Sequence, residues 1–90
     1  MSGVAKFVKS LAEGRQRLYH CSRSIKNYEG ESSEYIVMSN SMGSRYTEPE
    51  TMCFLATSNG DIKSYSEVHH AFPHNADKNI FEELDIEIVS

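Results

Sequence analysis

Apolar residues recur near the start of the chain at Val4, Phe7, Val8 and Leu11, with Lys6, Lys9 and Ser10 between them. Steps of three and four residues put side chains on one face of a helix. The spacing predicts a helix over residues 3–12, with Ser2 as its N-cap. Leu18, seven residues after Leu11, extends the pattern to about Tyr19. Leu18-Tyr19-His20-Cys21 reads equally well as a short strand, and periodicity does not choose between the two.

Beyond residue 30 the pattern changes. Glu34 to Ser39 is rich in β-branched and aromatic residues, which predicts a strand. Its consecutive Ile36, Val37 and Met38 predict a central strand buried on both faces. Residues 40–47, around Gly43, read as a loop. Pro49-Glu50-Thr51 leads into a strand at Met52 to Thr57. Asn59-Gly60 then predicts a hairpin turn, because both residues tolerate positive φ. The hairpin continues through Lys63 to Ser66, and Glu67-Val68 opens a turn or short helix. His69 to Asn75 reads as irregular around Pro73. Residues 76–84 predict a helix capped by Asn75, with Ile80, Phe81 and Leu84 inward. Asp85 to Val89 alternates polar and apolar, as in an edge strand with one wet face.

These elements predict a single α+β domain over residues 1–90. It would be an antiparallel sheet of three or four strands with an N-terminal helix and a short C-terminal helix. A chain of 90 residues has room for one core and one groove.

Charge divides the chain. Residues 1–28 hold six cations against Glu13, a balance of +5, while residues 29–90 hold Arg45, Lys63 and Lys78 against twelve carboxylates, a balance of −9. This marks a basic helical segment followed by a strand-rich acidic body. Either the asymmetry is an interaction surface, or the basic segment packs on the acidic body and the charges offset. No apolar run approaches the ~20 residues of a membrane span, and the N-terminus lacks the features of a signal peptide. Cys21 and Cys53 are expected as free thiols in a reducing cytoplasm.

Catalytic signals are weak. His69, His70 and His74 offer an i, i+4 pair of metal ligands, but Pro73 disfavours a helix there and no Cys-x-x-Cys pair completes a site. Cys53 sits in an apolar strand, where cysteine acts as a small hydrophobe. Neither a nucleophile elbow nor a phosphate loop is present. The chain is therefore read as a non-enzyme without cofactor or bound metal.

The run from Tyr35 to Val89 resembles a group of short, uncharacterised proteins encoded by bacteriophages and prophages. The shared outline is Ile36-Val37-Met38-Ser39, Pro49-Glu50-Thr51, Phe54, Asn59-Gly60, Tyr65-Ser66-Glu67-Val68 and the closing helix and strand. The resemblance implies a phage accessory protein. Together with the acidic body, it leads to the expectation of a binding protein that contacts a host protein and inhibits a defence or nucleic-acid-handling system. Glu82, Glu83, Asp85 and Glu87 are the expected contacts, with Arg15 and Arg17 from the basic segment. One alternative is a small nucleic-acid-binding protein using that segment. The other is a Cys- or metal-dependent hydrolase.

Overall fold

The computed structural model describes residues 3–72 and 74–89. Ser2 and Pro73, to which the sequence assigned a cap and a helix break, lie outside them. The fold is a six-stranded mixed sheet with one helix on one face, not the two-helix α+β domain expected. In chain order the elements are β1 (Gly3–Leu11), β2 (Gln16–Lys26), β3 (Ser32–Ser41), β4 (Glu50–Ala56), β5 (Ile62–Ala71), α1 (Ala76–Glu83) and β6 (Ile86–Val89). The spatial order is β5-β4-β3-β2-β1-β6. The first five strands form an antiparallel meander. The connection that carries α1 then crosses the sheet, and β6 docks parallel to β1 at the far edge. Such a crossover is what a parallel neighbour requires.

The expected N-terminal helix is strand β1, and the reason is a bulge. Phe7 pairs with Tyr19 and Lys9 with Leu18, so Val8 is an extra residue. Alternation places Ala5 and Phe7 on the helix-covered face before the bulge, and Lys9 and Leu11 on the other face after it. A period-2 strand with one inserted residue thus imitates spacings of three and four. Residues 15–21, undecided by periodicity, belong to the same hairpin as a turn and strand β2. Its turn bends through Ala12, Glu13 and Gly14, all at positive φ (51°, 57° and 89°).

The central and following strands match their expected places. Ile36, Val37 and Met38 are all fully buried in β3, between β2 and β4. The Asn59-Gly60 hairpin joins β4 to β5, but only Gly60 has positive φ (96°). Gly60 N–H donates to Thr57 O, and Thr57 N–H donates to Asp61 O, a type I turn closed by a glycine bulge. Asn27 to Glu31 repeats this pattern between β2 and β3, with Gly30 at φ 83°. Glu67 to Ala71 continues β5 and is neither turn nor helix. Asn75 occupies the N-cap of α1 but makes no side-chain cap bond.

Two apolar clusters fill the two faces. Ile80 and Phe81 of α1 pack on Ala5, Tyr19, Cys21, Ile36, Met38, Cys53, Leu55 and Val68. Leu18, Val37 and Ala56, with Leu11 and Tyr35, form the second cluster. The bulges add twist. Diagonal corners of the sheet consequently meet over this second face: a Cβ built on Gly60 would lie 2.5 Å from Leu11 Cδ1. Coiling thereby buries Leu18 and Val37 without a second layer of helices. No helix among the described residues is long and apolar enough to cross a membrane.

Candidate functional site

Three of the four acidic residues singled out from the sequence surround one groove. It lies between α1 and the edge strand β6, with a volume of about 580 Å³. Phe81, Ile86 and Ile88 line it with apolar surface, and Glu82, Asp85, Glu87 and Lys78 supply its charge. Glu82 comes from the last turn of α1, Asp85 from the connection at φ 57°, and Glu87 from β6. The local reason is the alternation of Asp85-Ile86-Glu87-Ile88. Ile86 and Ile88 stand opposite Gly3 and Ala5, on the helix-covered face, and Glu87 falls between them. Lys78 Nζ lies 3.9 Å from Glu82 Oε1 across an exposed i, i+4 pair, a weak interaction in water. Lys78 stands beside Glu82 and Asp85, and Glu87, which alternation turns to the opposite face of the same edge strand, adds a further carboxylate, so this edge is net negative.

Glu83, the fourth acidic residue, falls elsewhere. It borders a separate cleft of about 420 Å³ with His69, His70, Phe72 and His74. The rings of His69 and His70 lie 5.8 Å apart at the border of this cleft. His70 Nδ1 meets Glu67 Oε2 at 3.2 Å. Among the described residues no group of three His, Cys, Asp or Glu side chains is placed to hold a metal.

Arg17 is not a free contact residue. Its Nε and Nη2 donate to Asp77 Oδ2 and Oδ1 at 2.9 and 2.8 Å. The Tyr19 hydroxyl donates to Asp77 Oδ2 at 2.7 Å. Arg17 Nη2 also reaches Asn40 Oδ1 at 3.0 Å, which accepts from Thr51 Oγ1 at 2.9 Å. The bond to Asp77 holds the Arg17 pKa above its ordinary value. Burial, together with the same acceptor, raises that of Tyr19. Arg23 Nη2 donates to the carbonyl of Leu84 at the other end of α1, where a cation complements the helix dipole. Two cations of β2 therefore pin the two ends of α1 to the sheet. Arg15 stays exposed, and its Nε donates to Ala12 O at 3.2 Å.

The basic segment consequently does not form one stripe. Alternation puts Lys6 and Lys9 on the face away from α1, while Arg17 and Arg23 are committed to the helix. Cys21 and Cys53 are buried, free thiols in the core. Burial pushes the Cys21 thiol up to about 11 and raises Cys53 well above its usual range. Neither is an activated nucleophile, which needs a depressed pKa and exposure.

Sequence reasoning listed the carboxylates of the groove but not Lys78, Phe81, Ile86 and Ile88 as its lining. The signal for the isoleucines was present, since their alternation had been read as an edge strand. It carried no hint that α1 would lie alongside. Nothing in the sequence marks Asp77 as the partner of Arg17, sixty positions away. No protein-family model, curated protein or solved structure matches the chain.

Proposed function

We propose that this protein is a small binding module that receives a positively charged segment of a partner protein in the α1–β6 groove. The observation that carries the reading is the gathering of Glu82 and Asp85 beside the groove, and of Glu87 on the other face of the same strand, at an open edge of the sheet. Complementary charge speeds encounter and suppresses wrong partners. The exposed Ile88, lying beside the buried Phe81 and Ile86, supplies the desolvated contact that charge alone lacks. The likeness to phage-encoded proteins makes the partner a host protein, with inhibition of a host defence or nucleic-acid-handling system as the outcome of capture. The commitment of Arg17 and Arg23 to α1 favours this reading over nucleic-acid binding.

The test uses a capped, fluorescein-labelled heptapeptide of alternating lysine and valine, titrated by fluorescence anisotropy at physiological salt. Micromolar binding is expected. Glu82→Gln, Asp85→Asn and Glu87→Gln combined should weaken it at least tenfold and flatten its salt dependence. Glu29→Gln, Glu48→Gln and Asp61→Asn, which leave the groove intact, should change it less than twofold. Equal losses in the two triple variants would overturn the reading. So would tight binding of a random oligonucleotide that is lost on neutralising Lys6, Lys9 and Arg15.

A further inference from the structure

We propose that the partner segment binds as an added strand on β6, extending the sheet to seven strands. This rests on the α1–β6 groove being the binding site, and it specifies how the site works. β6 is the outermost strand on its side. In a parallel pair, residues along a strand alternate between bonding toward the neighbour and pointing away from it. Gly3 N–H donates to Asp85 O at 3.2 Å, and Gly3 stands opposite Ile86. The carbonyl of Asp85 and the main-chain groups of Glu87 therefore face β1, while Asp85 N–H donates to Glu82 O at 3.1 Å. The main-chain groups of Ile86 and Ile88 face the open edge, and no described residue bonds to them. Two N–H and two C=O groups thus lie beside the groove that the same two isoleucines line.

The opposite edge of the sheet is different. On β2 five steps separate His20 from Ile25, while the partners on β3 are two steps apart. This irregularity bends the β2–β3 hairpin across to β5. Tyr28 N–H donates to Glu67 O at 3.1 Å, and Ser64 Oγ donates to Glu31 Oε1 at 2.8 Å. The β5 edge is thereby partly occupied and carries irregularities of its own, devices that discourage strand addition. β6 has neither.

Charge selects the occupant. Two copies of this chain pairing β6 to β6 would bring Asp85 and Glu87 of each against the same carboxylates of the other, which is repulsive. An extended basic segment is complementary. The stem of a lysine or arginine on the groove side lies over Phe81 and Ile88, and its head reaches Glu82 or Asp85. Residues on the other side reach Glu87. Main-chain bonds to β6 supply affinity, and the alternate side chains supply selectivity.

Amide hydrogen exchange with and without the lysine–valine heptapeptide separates this mode from the binding reading itself. Saturating peptide should slow exchange at Ile86 and Ile88 at least tenfold, and leave Glu87, already bonded to β1, within twofold. Ile88→Pro should weaken the peptide at least tenfold more than Ile88→Ala. Proline removes the outward N–H without touching the β1 ladder, and such a residue is tolerated on an edge. Peptide affinity that depends on Glu82, Asp85 and Glu87 while Ile86 and Ile88 exchange as in the free protein would overturn strand addition and leave the binding function standing. Absence of binding at millimolar peptide would overturn both.

Discussion

Asp77→Ala tests what holds the helix, and so the groove, in place. The carboxylate accepts two bonds from Arg17 and one from the Tyr19 hydroxyl. The paired side chains are 20% and 18% exposed. Breaking a fully buried pair by removing one partner costs about 3–5 kcal/mol, whereas an exposed pair contributes about 0–1 kcal/mol. Burial here is closer to the first limit. Arg17 keeps Asn40 Oδ1 and the Gly14 and Arg15 carbonyls as acceptors, which reduces the loss. Tyr19, itself buried, loses its acceptor, worth about 1 kcal/mol. Together these give about 2–3 kcal/mol, a large share of the roughly 5–15 kcal/mol that a domain possesses. At roughly 4–8 °C per kcal/mol for a domain of this size, Tm should fall by about 10–20 °C. Urea unfolding followed by far-UV circular dichroism measures the equilibrium value. In an Arg17→Met background the same change should cost only about 1 kcal/mol, because Tyr19 is then the remaining donor. A loss under about 1 kcal/mol in the wild-type background, or simple additivity of the two substitutions, would refute the account of Arg17 and Asp77 as the anchor of α1.

The two glycine-bulge turns offer an internal comparison by urea midpoint. Gly30→Ala meets nothing within 4 Å, so only positive φ opposes it, at about 1 kcal/mol. Gly60→Ala carries the same backbone cost plus the clash with Leu11, about 2 kcal/mol in all, and equal losses at the two sites would show that the corners do not touch. The second alanine should be largely tolerated once Leu11→Ala has made room. Cys21 and Cys53 should stay inert to a thiol reagent at pH 8 until the protein is unfolded, and fast labelling of native protein would contradict their burial. Stability should also fall with alkalinity. Burial raises the Cys21 pKa from 9.0 to about 11 and raises those of Cys53 and Tyr19 too. Such groups favour the fold fully below their unfolded pKa values, and that contribution is lost as pH rises through the folded ones. Urea midpoints should therefore decline between pH 9 and 11, and a flat profile over that range would count against this burial.

Local sequence was enough wherever local chemistry decides the outcome. The apolar run of β3 can only be a strand covered on both sides, and that is where Ile36, Val37 and Met38 lie. Asn59-Gly60 forces a hairpin because one residue must take positive φ. Ile80 and Phe81 fall on one face of α1 by helical period alone. The acidic cluster of Glu82, Glu83, Asp85 and Glu87 is visible in the sequence, but Glu83 borders a separate cleft. The rest depends on partners distant in the chain. Val4, Phe7, Val8 and Leu11 have helical spacing, but hydrogen bonds from β2 on one side and β6 on the other make the segment a strand, with a bulge absorbing the odd step. The parallel pairing of β6, the commitment of Arg17 to Asp77 and of Arg23 to Leu84, and the closing of Gly60 over Leu11 all join residues tens of positions apart. Periodicity reports which face of an element is apolar. Only the folded sheet decides which other element covers that face, and hence which charges remain exposed.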